Sequence, residues 1–270
     1  MSRREIPIDP WERLSRICGV LLGEGGCAWD RAQSPESLLP YLVEETHEVV
    51  EAVLQGDASR ITDEAGDALY LWVFFLELLE RRRAGSIVEA ARGVEEKLVR
   101  RHPHVFASEA APDADVPLTG HGVWERRKRA EHPPDAGALR KLPATLPALY
   151  AARRLQEKAA AFGFDWPGPL DVLEKVREEA AEVEEAVRAE SGAERIGEEI
   201  GDLLFSVVNL SRQLGQDPEI ALRHASEKFR LRFNAMARSL EEAGHRLGDA
   251  PLDLLEEHWQ AAKRDPDRYA

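Results

Sequence analysis

Cysteine, positive charge and long apolar runs are all in short supply in this chain. There are only two cysteines, Cys18 and Cys27, with no CxxC and no Cys/His cluster of zinc-ligand spacing. That excludes a disulfide framework and a structural zinc site, leaving two reduced thiols. Basic residues are outnumbered, with Lys+Arg 36 against Asp+Glu 50 and a formal net charge of -14. Such a balance repels nucleic-acid backbones and anionic membrane surfaces, so neither is expected as a partner. A polyanionic ligand would need a metal to help it bind. No apolar run reaches the roughly 18 residues of a membrane span, and the N-terminal MSRREIPIDPWERL lacks the apolar segment of a signal peptide. The expected location is cytoplasmic.

What the chain does have is the composition of soluble helices: 32% charged and 43% hydrophobic residues, with Ala, Glu, Leu and Arg recurring throughout. The expected fold class is all-α. At 270 residues the length suits one large or two ordinary domains, and an internal repeat decides between them. VEETHEVVEAV, DEAGDALYLWVFF, EEKLVRR and WERRK in the first half are answered in order by REEAAEVEEAV, EEIGDLLFSVVNL, SEKFRLR and WQAAK in the second. The offsets are 134 for Glu45 and Glu179, 135 for Asp67 and Asp202, 131 for Lys97 and Lys228, and 135 for Trp124 and Trp259. The opening segments also correspond, Trp29 with Phe164, Asp30 with Asp165 and Leu38 with Leu173, at offset 135. Between the copies, the four prolines of EHPPDAGALRKLPATLP break helical continuity. The expected organisation is a helical domain over 1–131, a linker over 132–145 and a second helical domain over 146–270.

Within each copy the pattern predicts a short first helix, a carboxylate helix (about 36–55; 169–190), a partner helix (about 59–82; 194–215), a basic helix (86–101; 218–241) and a final Trp-bearing helix. Gly56-Asp57 and Ser191-Gly192 supply turns short enough to make the two acidic helices antiparallel neighbours. Glu45 and Glu48 are three apart, as are Glu64 and Asp67, so each pair projects from one helical face. Glu179, Glu182, Glu199 and Asp202 repeat the arrangement. Four converging carboxylates repel one another, and a hard divalent cation resolves the repulsion. An all-oxygen set with room for water and phosphate suits Mg2+ better than zinc or copper. A single EExxE in so acidic a chain would be a solvated helix face; the repetition of the whole set argues for metal. Asp67 and Asp202 also open the apolar runs ALYLWVFF and LLFSVVNL, where an unpaired carboxylate is costly.

Lys97 and Arg101, and Lys228 and Arg232, present paired cations four apart, a geometry able to grip phosphates. Trp124 with Lys128 and Trp259 with Lys263 repeat that spacing and could set a flat apolar surface beside a third cation. Singly, each Trp reads as core and each cation as a solvated pair; a ligand role attaches to the whole set. His102 and His104, in RRHPHVF, read as a helix-ending turn. Two acidic helices cannot enclose a core alone, so each copy is expected to complete a four-helix bundle with a second subunit, as a homodimer.

GCAWDRAQS, LVEETHEVVEA, DEAGDALY, KLVRRHPHVF, VWERRK, LPALYAARRLQEKAAAFGFDW, EEIGDLLF, SEKF and HWQAAKR together resemble the two-domain MazG nucleoside triphosphate pyrophosphohydrolases nearly end to end. Ala28, where the family often has Pro, is a small departure. The resemblance implies Mg2+-dependent hydrolysis of ordinary or damaged nucleoside triphosphates between the α- and β-phosphates, with Mn2+ able to substitute. It places activity mainly in the second copy, with Glu179, Glu182, Glu199 and Asp202 on metal and Lys228, Arg232, Trp259 and Lys263 on nucleotide. Glu45, Glu48, Glu64, Asp67, Lys97, Arg101, Trp124 and Lys128 keep the same chemistry in the first. Glu178, beside the second ligand pair, is expected to orient or deprotonate the attacking water. Three rivals predict different chemistry. A di-iron bundle would use the Glu44/His47 ExxH, which the second copy lacks. A non-enzymatic interaction module would leave the acids as surface charge, and an enzyme restricted to one nucleotide would share the acidic logic.

Overall fold

The two acidic hairpins form where the local chemistry starts and stops them. The computed structural model describes residues 10–106, 139 and 141–264. The chain divides into two units, Met1–Val116 and Pro117–Ala270, each taken here by itself. Most of the linker expected over 132–145 lies outside the described residues, as do Trp124 and Lys128.

The first unit runs α1 (Pro10–Leu21), α2 (Ala28–Arg31), α3 (Pro35–Gln55), α4 (Ala58–Arg81), α5 (Ile87–Arg101) and α6 (Pro103–Phe106). Helix α3 begins at a reciprocal cap: Ser37 N donates to Ser34 Oγ at 3.2 Å and Ser34 N to Ser37 Oγ at 2.9 Å, with Pro35 at the first helical position. It ends at Gly56, whose φ of 75° is the left-handed stop that glycine adopts without strain. Asp57 then starts α4, accepting from Ser59 N at 3.0 Å and Arg60 N at 3.2 Å. So tight a connection lays α3 and α4 side by side. Helix α1 packs on α4, burying Cys18, Leu22, Leu38, Val73, Phe74 and Leu78 together. Burial and the nearby Glu77 raise the Cys18 thiol to about 11, so it behaves as a small apolar side chain. The loop after α1 passes so close to it that a Cβ on Gly26 would stand 2.2 Å from the Leu21 carbonyl oxygen.

The second unit runs α7 (Ala148–Ala160), α8 (Pro169–Arg188), α9 (Ala193–Gln213), α10 (Pro218–Glu242) and α11 (Leu252–Arg264). Here the helices of the acidic hairpin start without side-chain caps, α8 after Gly168 and α9 after Gly192 at the end of the turn. The left-handed position is taken by Glu190, at φ 50°, rather than by a glycine. Helices α7 and α10 pack on α9 and on each other, and α11 lies along α10. The apolar cluster of this unit sits between α10 and α11: Ala235, Met236, Leu240 and Ala262, flanked by Leu254, Leu255 and Trp259.

The described residues are helical, as expected, and the helix limits agree with the pattern to within two residues. One pairing is corrected. Burial matches Leu38 to Val172, at 1% and 0% exposure, not to Leu173, because the helices align from Pro35 and Pro169 at offset 134. The offset becomes 135 only after the inter-helix turn, where Val73 and Val208 are both buried. The extra residue therefore lies in the turn of the second hairpin. No helix among the described residues is long and apolar enough to cross a membrane.

Candidate metal centres

Each hairpin brings three carboxylates to one place. In the first unit Glu45 and Glu48 on α3 and Glu64 on α4 offer oxygens within 4.8 Å of one another. In the second, Glu179 on α8 with Glu199 and Asp202 on α9 do the same. The spacing expected from the sequence is therefore realised across both turns. One member of each expected four stands apart: Asp67 in the first unit and Glu182 in the second. Both remain close enough to act through space, Asp67 on Glu45 and Glu48, and Glu182 with Glu179 and Glu199.

Crowding shows in the proton affinities. Glu45 is held above the usual carboxylate range by burial, then by Glu48, Asp67, Glu64 and Glu44. Glu48 is raised by desolvation and by Glu64 and Glu44, and Glu182 by desolvation and by Glu179 and Glu199. In both units one oxygen of the same residue is buried with no hydrogen-bond partner, Oε2 of Glu45 and Oε2 of Glu179. An acceptor-only carboxylate oxygen in that condition lacks a cation or a donor. Equivalent orphan oxygens in both repeats, inside all-carboxylate groups, fit a hard divalent cation. No histidine belongs to either group among the described residues, which removes the basis for a di-iron centre at Glu44/His47.

Three cations that the sequence analysis did not single out sit against these acids. Arg60 Nε lies 3.1 Å from Glu64, and Arg195 pairs with Glu199, the same i, i+4 contact in both units. Lys175 is peculiar to the second unit: its Nζ lies 2.7 Å from Glu179 Oε1 and 2.9 Å from Glu178 Oε1. Those two hydrogen bonds push the lysine's proton affinity well above its ordinary value. Tyr41 occupies the equivalent place in the first unit. The i, i+4 spacing of each cation to its acid was the available signal. Glu178 itself is half exposed, outside the converging trio and tied to it through Lys175.

The proposed nucleotide-contacting residues lie on other helices. Lys97, exposed, and Arg101, buried, are on α5; Lys228, exposed, and Arg232, half-buried, are on α10. Trp259 on α11 lies against Phe229 with ring centroids 5.4 Å apart and packs on the α10–α11 cluster. Core packing therefore accounts for much of its surface. Lys263, one turn further on, is exposed.

The MazG nucleotide pyrophosphohydrolase domain description matches residues 33–106 and again 168–236, the segments that hold the two centres. A Thermotoga maritima protein named nucleoside triphosphate pyrophosphohydrolase/pyrophosphatase MazG is 41% identical over 254 residues, 94% of this chain and 95% of that protein. The nucleoside triphosphate pyrophosphohydrolase of Escherichia coli (strain K12) is 38% identical over 244 residues, 89% of this chain and 92% of that one. The Bacillus subtilis protein YabN is 36% identical over 248 residues, 92% of this chain and 50% of its own length.

The raised carboxyls give a signed prediction for the metal-free protein. A carboxyl with raised affinity in the folded state contributes stability that is full at low pH and is lost as pH rises through its folded value. With chelator present, Glu45→Gln is expected to raise Tm by about 2 °C at pH 7 and to leave it unchanged at pH 4. Scanning calorimetry reads both; an equal gain at the two pH values would show that charge crowding is not the cause.

Proposed function

The chain belongs to the MazG nucleotide pyrophosphohydrolase family, and from that membership we propose that it hydrolyses nucleoside triphosphates between the α- and β-phosphates with Mg2+ at its carboxylate centres. The products are a nucleoside monophosphate and pyrophosphate, from ordinary or damaged nucleotides of the cytoplasmic pool. The observation that carries the reading is a carboxylate trio in each unit with one buried, unpartnered oxygen, on Glu45 in one and on Glu179 in the other.

Glu179, Glu199 and Asp202, with Glu182 beside them, would hold the metal in the second unit, and Glu45, Glu48 and Glu64, with Asp67, in the first. Bound there, Mg2+ would supply positive charge to offset that of the phosphates and of the departing pyrophosphate, and would make water easier to deprotonate. The chain's own residues do the rest. Lys228 and Arg232, one turn apart on α10, meet the phosphate charge, and their counterparts Lys97 and Arg101 do so in the first unit. Lys263, four residues after Trp259, is the third cation of the second unit, and Lys128, four after Trp124 in the sequence, has that role in the first. Glu178 takes a proton from the attacking water as it adds to the α-phosphorus and the bond to the β-phosphate oxygen breaks. Lys175 holds one Glu178 oxygen at 2.9 Å, which fixes that carboxylate relative to Glu179.

Subunit pairing is part of the proposal. The acidic hairpins leave large apolar side chains exposed, Val43, Val53 and Trp72 on the first and Ile200, Leu204 and Val207 on the second. Faces of that kind on helix pairs are covered in four-helix bundles, and a second copy of the chain supplies the matching face. Mn2+ is expected to replace Mg2+, since both take oxygen ligands.

Pyrophosphate release from a panel of nucleoside triphosphates, with and without Mg2+, tests the reaction. Release is expected only with metal, with Glu179→Gln abolishing the second unit's share and Glu178→Gln lowering kcat by ~100-fold with nucleotide affinity kept. No release from any nucleotide would sink the reading, and unchanged turnover in Glu178→Gln would remove that residue from the reaction. Light scattering at micromolar concentration is expected to give twice the chain mass; the mass of one chain would refute the pairing.

A further inference from the structure

The two units differ most where the first helix of each meets the partner helix. In the first unit this seam is closed by Cys18 and Leu22 with Val73, Phe74 and Leu78, and it is crossed by Ser15 donating to Glu77 and by Arg81 donating to the Leu22 carbonyl oxygen at 2.9 Å. At the equivalent positions, 135 residues on, the second unit carries Arg153 and Glu157 against Val208, Asn209 and Gln213. Burial does not relax with the change in chemistry: Gln156 and Glu157 are 7% and 8% exposed. A buried polar seam is costly unless its groups are paired. Most are. Arg153 donates to Glu157 at 2.9 Å and to Asp217 at 2.5 Å, and Arg154 also pairs with Glu157.

Gln156 is different. Its Nε2 donates to the Phe205 carbonyl oxygen at 2.8 Å. Because a carbonyl only accepts, that bond fixes which end of the amide is which. The other end, Oε1, is buried with no hydrogen-bond partner. Glu219, two residues past Asp217 at the start of α10, also keeps a buried, unpartnered oxygen. Leu21 stands where the first unit would have Gln156. Phe205 follows Asp202 by three residues on α9, ~4.5 Å along the helix axis. The carbonyl that holds the amide is therefore about one turn along α9 from Asp202.

We propose that Gln156 Oε1 accepts a hydrogen bond from the N–H-bearing edge of the nucleobase whose phosphates sit on the Glu179, Glu199 and Asp202 centre. Gln156 is then a specificity residue that the second unit has and the first lacks. The inference rests on the nucleoside triphosphate reading of that centre. The chemistry of the acceptor selects the ligand group: a neutral amide oxygen in a seam that already holds Glu157 and Asp217 offers nothing to a phosphate and suits a neutral donor. Base and amide meet by side-chain rotation within the seam, the common adjustment at binding surfaces.

The test compares adenosine triphosphate with purine riboside triphosphate, which has the same ring without the amino donor, using the full-length chain and Mg2+. The wild type is expected to prefer the amino-bearing nucleotide by about tenfold in kcat/KM, carried by KM, the size of one neutral hydrogen bond. Gln156→Leu, which installs the first unit's residue, is expected to erase that preference while leaving turnover of purine riboside triphosphate unchanged. Far-UV circular dichroism confirms that the variant folds, and the wild-type comparison decides the matter if it does not. A preference that survives in Gln156→Leu, or equal use of both nucleotides by the wild type, overturns this proposal alone. Hydrolysis of neither nucleotide by the wild type overturns the triphosphatase reading and this proposal with it.

Discussion

Like-charge crowding across a short helical turn governs the arrangement of both units. Three carboxylates with oxygens within 4.8 Å of one another repel, and a cation placed among them relieves the repulsion. The local structure holds them there regardless. Caps at Ser34 and Asp57 and the left-handed Gly56 set where α3 stops and α4 starts, and that registration puts Glu45 and Glu48 opposite Glu64. The second hairpin reaches the same result with one more residue in its turn and no side-chain caps. Two different turns each bring three acids together, two from α3 and one from α4 in the first unit and one from α8 and two from α9 in the second, which places the constraint in the acids rather than in the loop.

The units answer the crowding unequally. An arginine four residues before the partner-helix glutamate, Arg60 or Arg195, is common to both. The second unit adds Lys175, which neutralises part of Glu179 and ties Glu178 to the centre. With Tyr41 in that place, the first unit leaves Glu45 raised by burial and by its acidic neighbours. The second centre thus has one more cation paired to its acids than the first among the described residues, and that cation ties Glu178 to Glu179.

Much of this was legible beforehand for a physical reason. Helix limits follow from caps, prolines and apolar period, all local, so the helices lie where the pattern put them. The convergence of Glu179 with Glu199 was legible because a short turn leaves two helices little choice of neighbour. Other features were not. The exclusion of Asp67 and Glu182 from the trios depends on side-chain direction within a turn of helix, which spacing alone does not resolve. Val172 rather than Leu173 fills the place of Leu38 because the extra residue lies in the turn, and a gap there cannot be located from similarity of flanking acids. Lys175 and Arg195 were visible as i, i+4 partners but were obscured by the many other charged pairs of an acidic chain.

The duplication lets one half of the molecule serve as the control for the other. Both copies keep the hairpin, and both bury Val73 or Val208 behind it. The seam with the first helix gains buried polar groups in the second copy, Gln156 and Glu157. If the polar seam served stability alone, the first unit shows that Cys18, Leu22 and Phe74 close the same junction without any ion pair between buried groups. A buried arginine–carboxylate network is at best a neutral replacement for such packing. The second unit compensates by placing its apolar cluster elsewhere, between α10 and α11, where Met236, Leu240 and Ala262 meet Trp259. Relative to the first unit, buried charged and amide groups take the junction of α7 with α9, and the apolar cluster lies instead between α10 and α11. That exchange is what a ligand site beside the carboxylates would require, and a purely structural repeat would not.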